Sequence, residues 1–241
     1  LLAVGSERYT PYTTLKQPQE LLTIANHILG FGQLSLAKYL FITNKEVNPT
    51  LSCNDIESYF IHFLERVDWK RDVHFQTNTT IDTLDYSGNA INSGSKVVMA
   101  AVGDKKRELA ATCSIENAKW VIPGVIALNG DVFTTYENAK KELETLNLQL
   151  QTSNLNGIML ILLVDDADFV AENLNNFLWV TFTRSNPADD IYGVNEFINN
   201  KHWGCEGPLI IDARIKPHHA PPLEKDEAVE KRVDEICQLL I

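Results

Sequence analysis

The sequence predicts an α/β layered fold with a mostly buried sheet, and three observations carry that prediction. Residues 157–164 are apolar without interruption, the character of a strand covered on both faces. Strand-like runs alternate with stretches of helical periodicity, as in layered α/β domains. A weak repeat relates the two halves of the chain.

The elements follow in order. Leu1-Leu2-Ala3-Val4 opens the chain in an apolar, strand-like run without a methionine, as expected of a segment of a longer protein. Pro18 sits where a first helical turn would begin. Leu21, Ala25 and Ile28, with Leu22 and Leu29, then recur at helical spacing, giving a helix near 18–29 that Gly30 and Gly32 end. Residues 36–43 read as a buried strand closing on Asn44-Lys45. A short helix near Asn54-Asp55 leads into 59–64, an aromatic and branched run read as strand. Residues 97–102 are a further strand, Lys105-Lys106-Arg107-Glu108 a solvated charge run, and Pro123-Gly124 a turn. Thr134 with Glu137 has capping-box spacing, and Ala139, Leu143, Leu146 and Leu150 share one face of the helix that follows. Strands are expected at 157–164, 178–183 and 209–211. An amphipathic tail helix aligns Val229, Val233, Ile236 and Leu240 beyond an extended, Pro-rich arm over 217–222.

The repeat runs strand 36–43, polar turn, short helix, strand 59–64, then Arg66, Asp68 and Asp72. Its second copy runs strand 158–164, Asp165-Asp166, short helix, strand 178–183, then Arg184, Asn186 and Asp190. The Arg-to-Asp spacing is the same in both. The chain is therefore divided as 1–104 (first repeat), 105–155 (an insertion or connecting helix) and 156–241 (second repeat with the tail helix).

Composition excludes several classes. The 241 residues carry 32 acidic against 21 basic side chains, a formal charge of −11 that repels phosphate backbones and argues against nucleic acid. No basic amphipathic stretch suggests a membrane surface, no apolar run is long enough to span a bilayer, and no signal-peptide pattern opens the chain. Cys53, Cys113, Cys205 and Cys237 are scattered and form no C-x-x-C pair; reduced thiols in a cytoplasmic protein are expected.

Several stretches together resemble one family. They are LAKYLFITNKEVN (36–48), NTTIDTLDYSG (78–88) followed by GSKVVMAA (94–101), LWVTFTRSNPADDIY (178–192), PLIIDARIKP (208–217) and PLEKDEAVEKRVDEI (222–236). In these the chain resembles the carboxy-terminal portion of UbiD-type decarboxylases, apart from 105–155, with family-like segments in both halves. The resemblance implies a carboxy-lyase acting on 4-hydroxybenzoate-type aromatic or unsaturated acids, including the ubiquinone precursor. It also implies prenylated FMN with a divalent metal and potassium in the full-length protein, a flavin prenyltransferase supplying the cofactor, and a homo-oligomer. The family's catalytic Arg and Glu residues lie in preceding domains, so no catalytic residue, cofactor or metal is expected in this chain alone. Thr80, Ile81 and Leu84 match the segment that reaches toward the substrate, with Leu84 as the pocket-lining residue and core filling as the alternative.

Other residues invite different chemistry. Asp165, Asp166 and Asp168 follow a buried strand, where metals gather in α/β sheets, which supports a receiver-like acidic binding module as the alternative function. A solvated turn is the plainer reading. Arg66 and Arg184 could bind an anion bidentately, although Asp72 and Asp190 close behind favour ion pairs or loop clamps. His218-His219 reads as linker, because adjacent side chains diverge on an extended segment. His27, His62, His74 and His202 have no partner evident in sequence, and no G-x-S-x-G, P-loop or G-x-G-x-x-G motif is present.

Overall fold

A computed structural model describes residues 1–5, 16–112, 115–221 and 226–238. The expected fold class is observed: helices and sheets alternate in layers, and the chain ends in a helix.

The first unit contains β1 (Leu2–Gly5), α1 (Gln19–Leu29), β2 (Tyr39–Asn44), α2 (Ile56–Leu64), β3 (Val73–Thr79) and β4 (Gly94–Ala100). Its sheet has the order β1-β2-β4-β3, with β1, β2 and β4 parallel and β3 antiparallel to β4. The second contains β5 (Lys119–Ile122), β6 (Val125–Asn129), α3 (Tyr136–Gln151), β7 (Leu160–Val164), α4 (Ala167–Glu172), α5 (Leu174–Thr183), α6 (Pro187–Asp190), β8 (Ile191–Gly193) and, after a hairpin of β9 (Glu196–Asn199) and β10 (His202–Cys205), β11 (Leu209–Asp212). Its sheet has the order β5-β6-β7-β11-β8, with β6, β7 and β11 parallel and β8 antiparallel to β11. Apart from the edge strand β5, the two sheets share one topology.

The registers align residue by residue. Phe41 and Val73 both pair with Met99, as Leu162 and Ile191 both pair with Ile211. Ala101 N–H bonds to the Ile42 carbonyl at 3.0 Å, and Ala213 N–H to the Leu163 carbonyl at 2.8 Å. The Arg-to-Asp spacing read in the sequence falls on one loop form. The Asp72 carboxylate accepts from Asp68 N–H at 2.8 Å, and the Asp190 carboxylate accepts from Asn186 N–H at 2.6 Å.

Alternation along β2 divides the layers. Leu40 and Ile42 face α1, packing with Leu21, Ala25 and Val98. Tyr39 and Phe41 face inward onto α2 and α5, which lie between the sheets. The second sheet mirrors this, with Ile161 and Leu163 against α3, and Leu160 and Leu162 inward. The central layer is aromatic: Phe41 meets Phe60, Phe63 and Phe182 edge-on with centroids 5.2, 5.3 and 5.6 Å apart, geometry that adds to plain area burial.

Four expectations are corrected. Residues 59–64 and 178–183 are helix rather than strand. Asp55 caps the first by accepting from Ser58 N–H, and Asn173 caps the second by accepting from Asn176 N–H. Helices covered by a sheet on each side show little polar face, so their periodicity is muted and the aromatic content reads as strand. Residues 105–155 supply β5, β6 and α3, so this stretch opens the second unit rather than interrupting the chain. The cap of α3 is Thr135, accepting from Asn138 N–H; Glu137 pairs instead with Lys141 at 2.9 Å.

Lys216 leads out of the second unit to α7 (Glu227–Gln238), none of whose described residues is buried. Leu240, expected on its apolar stripe, lies outside the described residues. No described helix is long and apolar enough to cross a membrane.

Candidate functional site

A cleft of about 710 Å³ opens between the loop that follows β3 and the end of α5. The first wall is held by its own short hydrogen bonds. Asp82 accepts from Leu84 N–H at 2.8 Å, and Asp85 accepts from the Ser87 amide at 3.0 Å and its hydroxyl at 2.6 Å, both Asx-type turns. Asn92, with φ +55°, donates to the Ile81 carbonyl at 3.2 Å. Ile81 is the buried anchor beneath: a Cβ on Gly88 or Gly94 would lie 2.6 or 2.8 Å from its Cδ1. Lys38, buried at the start of β2, pairs with Asp85 at 2.8 Å and donates to Ser87 at 2.5 Å. Burial lowers the Lys38 pKa and Asp85 opposes the shift.

The second wall comes from the second unit. α5 presents Trp179, Phe182 and Thr183, and Arg184 follows at its C-terminus. The guanidinium lies 5.1 Å from the Trp179 ring centroid and pairs with Asp165 at 3.2 Å. Asp165 also accepts from Ile215 N–H at 2.8 Å, which fixes the segment that leaves β11. Lys216 is fully buried, 3.2 Å from Asp190 and within 3.2 Å of the Arg184 and Asp212 carbonyls. Burial pushes the Asp190 carboxyl up to about 7 against the opposing pull of Lys216.

His219 completes the wall. Its Nδ1 accepts from Lys216 N–H at 3.2 Å, which places the imidazole proton on Nε2. Nε2 is buried, lacks a hydrogen-bond partner among the described residues, and belongs to a ring that lines the cleft. Burial, and then the positive charge of Lys216, holds His219 down to about 4, so the ring is neutral near pH 7.

The three residues singled out from sequence separate here. Leu84 stands on the cleft lip, 79% exposed. Ile81 fills the core beneath, and Thr80 is outside the cleft, its carbonyl accepting from Lys96 at 2.5 Å. The acids after β7 are each engaged: Asp165 as above, Asp166 as the cap of α4 and Asp168 with Lys119 at 2.6 Å. Arg66 pairs with Glu65, while Asp72 takes Arg71 and Asp190 takes Lys216, so neither singled-out arginine pairs with the acid expected for it. Sequence reasoning missed Lys38, Trp179 and Lys216. Only the fold brings them together, and a lone lysine before a strand carries no signal of burial.

A two-unit α/β module with a cleft at the junction is thus the class of protein defined by fold and geometry. Residues 1–101 match the family model described as the 3-octaprenyl-4-hydroxybenzoate carboxy-lyase C-terminal domain. This first unit is a carboxy-terminal domain of the UbiD family, as the resemblance implied, and the match ends just beyond β4. An uncharacterised protein of Chlamydia muridarum is 33% identical over 96% of this chain and 37% of its own length. A protein of Chlamydia pneumoniae, named as one of the subunits of a 4-hydroxybenzoate decarboxylase, is 31% identical over 97% of this chain and 37% of its own. The chain therefore spans a little over a third of these relatives. Vanillic acid decarboxylase of Sedimentibacter hydroxybenzoicus in closed form aligns with 70% of this chain and 46% of its own at 14% identity and a TM-score of 0.35, a likeness too slight to bear on chemistry.

Proposed function

We propose that this chain is the carboxy-terminal portion of a carboxy-lyase acting on 4-hydroxybenzoate-type aromatic or unsaturated acids, with the reaction centre elsewhere in a longer protein. The observation that carries the proposal is the family match over the first unit together with the loop that ends in Leu84. That loop is rigid from its Asx turns and its Ile81 anchor, yet projects a large apolar side chain into open space. Such a group suits the dry wall of a pocket where a carboxylate loses its solvation.

In the longer protein, prenylated FMN with a divalent metal and potassium would supply the electron sink for carbon dioxide loss. Among the described residues no three His, Cys, Asp or Glu side chains converge as a metal-ligand set, so no ligand to these groups is assigned here. The chain's own contribution is a wall that excludes water and, through α7, contacts between copies in a cytoplasmic homo-oligomer. The cofactor would come from a flavin prenyltransferase.

A paired assay tests the proposal: this chain and the longer protein, each reconstituted with prenylated FMN, followed by flavin absorbance and carbon dioxide release from 4-hydroxybenzoate-type acids. Turnover by the longer protein alone is expected, with its substrate preference altered by Leu84→Ala. Turnover by this chain alone, or no turnover by either, would overturn it.

A further inference from the structure

We infer that the outer edge of β1 is a docking site for an extended apolar strand, laid antiparallel to β1 and supplied by a part of the longer protein outside this chain. It rests on the reading of this chain as a portion of a longer protein, and its evidence is the internal duplication. β6 is the counterpart of β1, and the outer edge of β6 is covered by β5, which runs antiparallel to it. Among the described residues no strand pairs with the outer edge of β1.

The backbone of that edge is set for a partner. The Leu1 and Gly5 carbonyls accept from Phe41 and Lys45 N–H at 3.0 and 3.2 Å, so these residues turn their polar groups toward β2. Leu2 and Val4 alternate with them and turn theirs outward, the arrangement that templates a further strand. The register makes the match specific. Leu2 opposite Phe41 corresponds to Ala127 opposite Leu162, and Ala127 is the residue that faces Lys119 of β5.

The side-chain space agrees. In the second unit Ile122 of β5, and Val121 in part, sink into the central apolar layer with Leu160, Leu162 and Leu174. The counterparts of those three, Tyr39, Phe41 and Ile56, instead line a cavity of about 320 Å³. Lys38 and Asp85 line it too, but they pair with each other at 2.8 Å, so the cavity suits uncharged side chains. A strand bonded along β1 with a branched side chain in that cavity would draw affinity from main-chain bonds and selection from the pocket. The cavity lies where β2 begins. Gly5 and Lys16 stand at the far end of the sheet, beside Asn44 and Gly103, which favours a strand from outside this chain.

The test is site-resolved hydrogen exchange at the Leu2 and Val4 amides. It compares the 241-residue chain, the longer protein, and the 241-residue chain with a second copy of residues 116–125 fused ahead of Leu1. The fusion repeats the turn at Pro123-Gly124 that joins β5 to β6. Both amides should exchange at least about a hundredfold more slowly in the longer protein and in the fused chain than in the 241-residue chain. Val121→Asp with Ile122→Asp, made in the fused copy alone, should remove that protection. Fast exchange in the longer protein or in the fused chain would overturn the inference, whatever the catalytic activity of the longer protein. Protection already present in the 241-residue chain would also overturn it. Such protection would rise with concentration if a second copy covers the edge, and would not if the chain covers its own.

Discussion

The two units build the same sheet yet finish it differently. In the first, the strands end among small and apolar residues: Ala100, Ala101 and Val102 are all buried. In the second, the matching stretch is Asp212, Ala213 and Arg214, also buried. Asp212 and Arg214 pair at 2.6 Å and Glu142 of α3 takes the other side of the guanidinium. Buried ions cost desolvation that apolar residues do not, and they persist only where partners surround them. The second unit thus carries a buried ion cluster at its strand ends that the first unit lacks. The framework is duplicated, while the chemistry at the strand ends is not.

This contrast is sharpest at the two equivalent carboxylates, Asp72 and Asp190. Lys216→Met should leave Asp190 without its counter-ion and cost about 3–5 kcal/mol, as breaking buried pairs does. Arg71→Met removes the counter-ion of Asp72, but the Arg71 side chain is 34% exposed and the expected loss is about 1 kcal/mol. The first loss should depend on pH. An aspartate near 3.9 unfolded but raised to about 7 folded binds its proton more tightly in the folded state, so its contribution to stability grows as pH falls through that window. The Lys216→Met deficit should accordingly be larger at pH 8 than at pH 5, and Asp190→Asn should flatten that dependence. Urea denaturation at the two pH values measures it. Equal losses in the two units would break the comparison.

Each unit also sends its Arg-to-Asp loop into the other. Trp69 donates to the Met159 carbonyl at 2.9 Å, and Asn186 accepts from the Ser95 amide at 2.9 Å and hydroxyl at 2.6 Å. Asn186→Ala strands a buried amide and should cost about 2 kcal/mol, the penalty for an unsatisfied buried donor. Asp68→Ala, at the equivalent position, should cost less because that side chain is 40% exposed. Chemical denaturation of the two variants side by side shows whether the two equivalent loop positions carry equal energy.

The duplication is only partly legible in the sequence, and the reasons are physical. The Arg66–Asp72 and Arg184–Asp190 spacings are visible because the capping carboxylate must sit four residues beyond the amide that it accepts from. The strand cores of β2, β7 and β11 are visible as apolar runs. α2 and α5 read as strands because two sheets cover them, which mutes the 3.6-residue pattern and leaves aromatic runs of strand character. β3 escapes notice because its outer half, from Gln76 to Asn78, is exposed and polar. Of the residues that line the cleft, the sequence singles out Leu84 and Arg184, and it reads His219 as linker. The cleft's second wall depends on how α5 approaches a loop about ninety residues earlier, a long-range contact with no local signature.

A smaller test of equivalence uses two glycines that the register aligns, Gly5 at the end of β1 and Gly130 just after β6. A Cβ at Gly5 would lie 2.8 Å from Leu21 Cδ2, and one at Gly130 would lie 2.9 Å from Leu163 Cδ1. Both contacts are with side chains able to shift, so each Ala substitution should cost about 1 kcal/mol, the low end of overpacking. Similar shifts in thermal midpoint support one shared constraint on both units; a large cost at one position alone argues against it.

The smallest effect is expected at the tail. Along α7, Val229, Val233 and Ile236 are 57%, 50% and 44% exposed. Fully burying such side chains would contribute about 1.5–3 kcal/mol each, so a stripe docked on its own chain could not be removed without a loss of several kcal/mol. Ending the chain after Pro221 should therefore change monomer stability by less than about 0.5 kcal/mol, the range of surface changes. If the stripe joins copies, the intact chain should gain stability with concentration and the shortened chain should not. Denaturation midpoints across a hundredfold range of concentration separate the cases. A loss independent of concentration would show that the helix folds back onto its own two units.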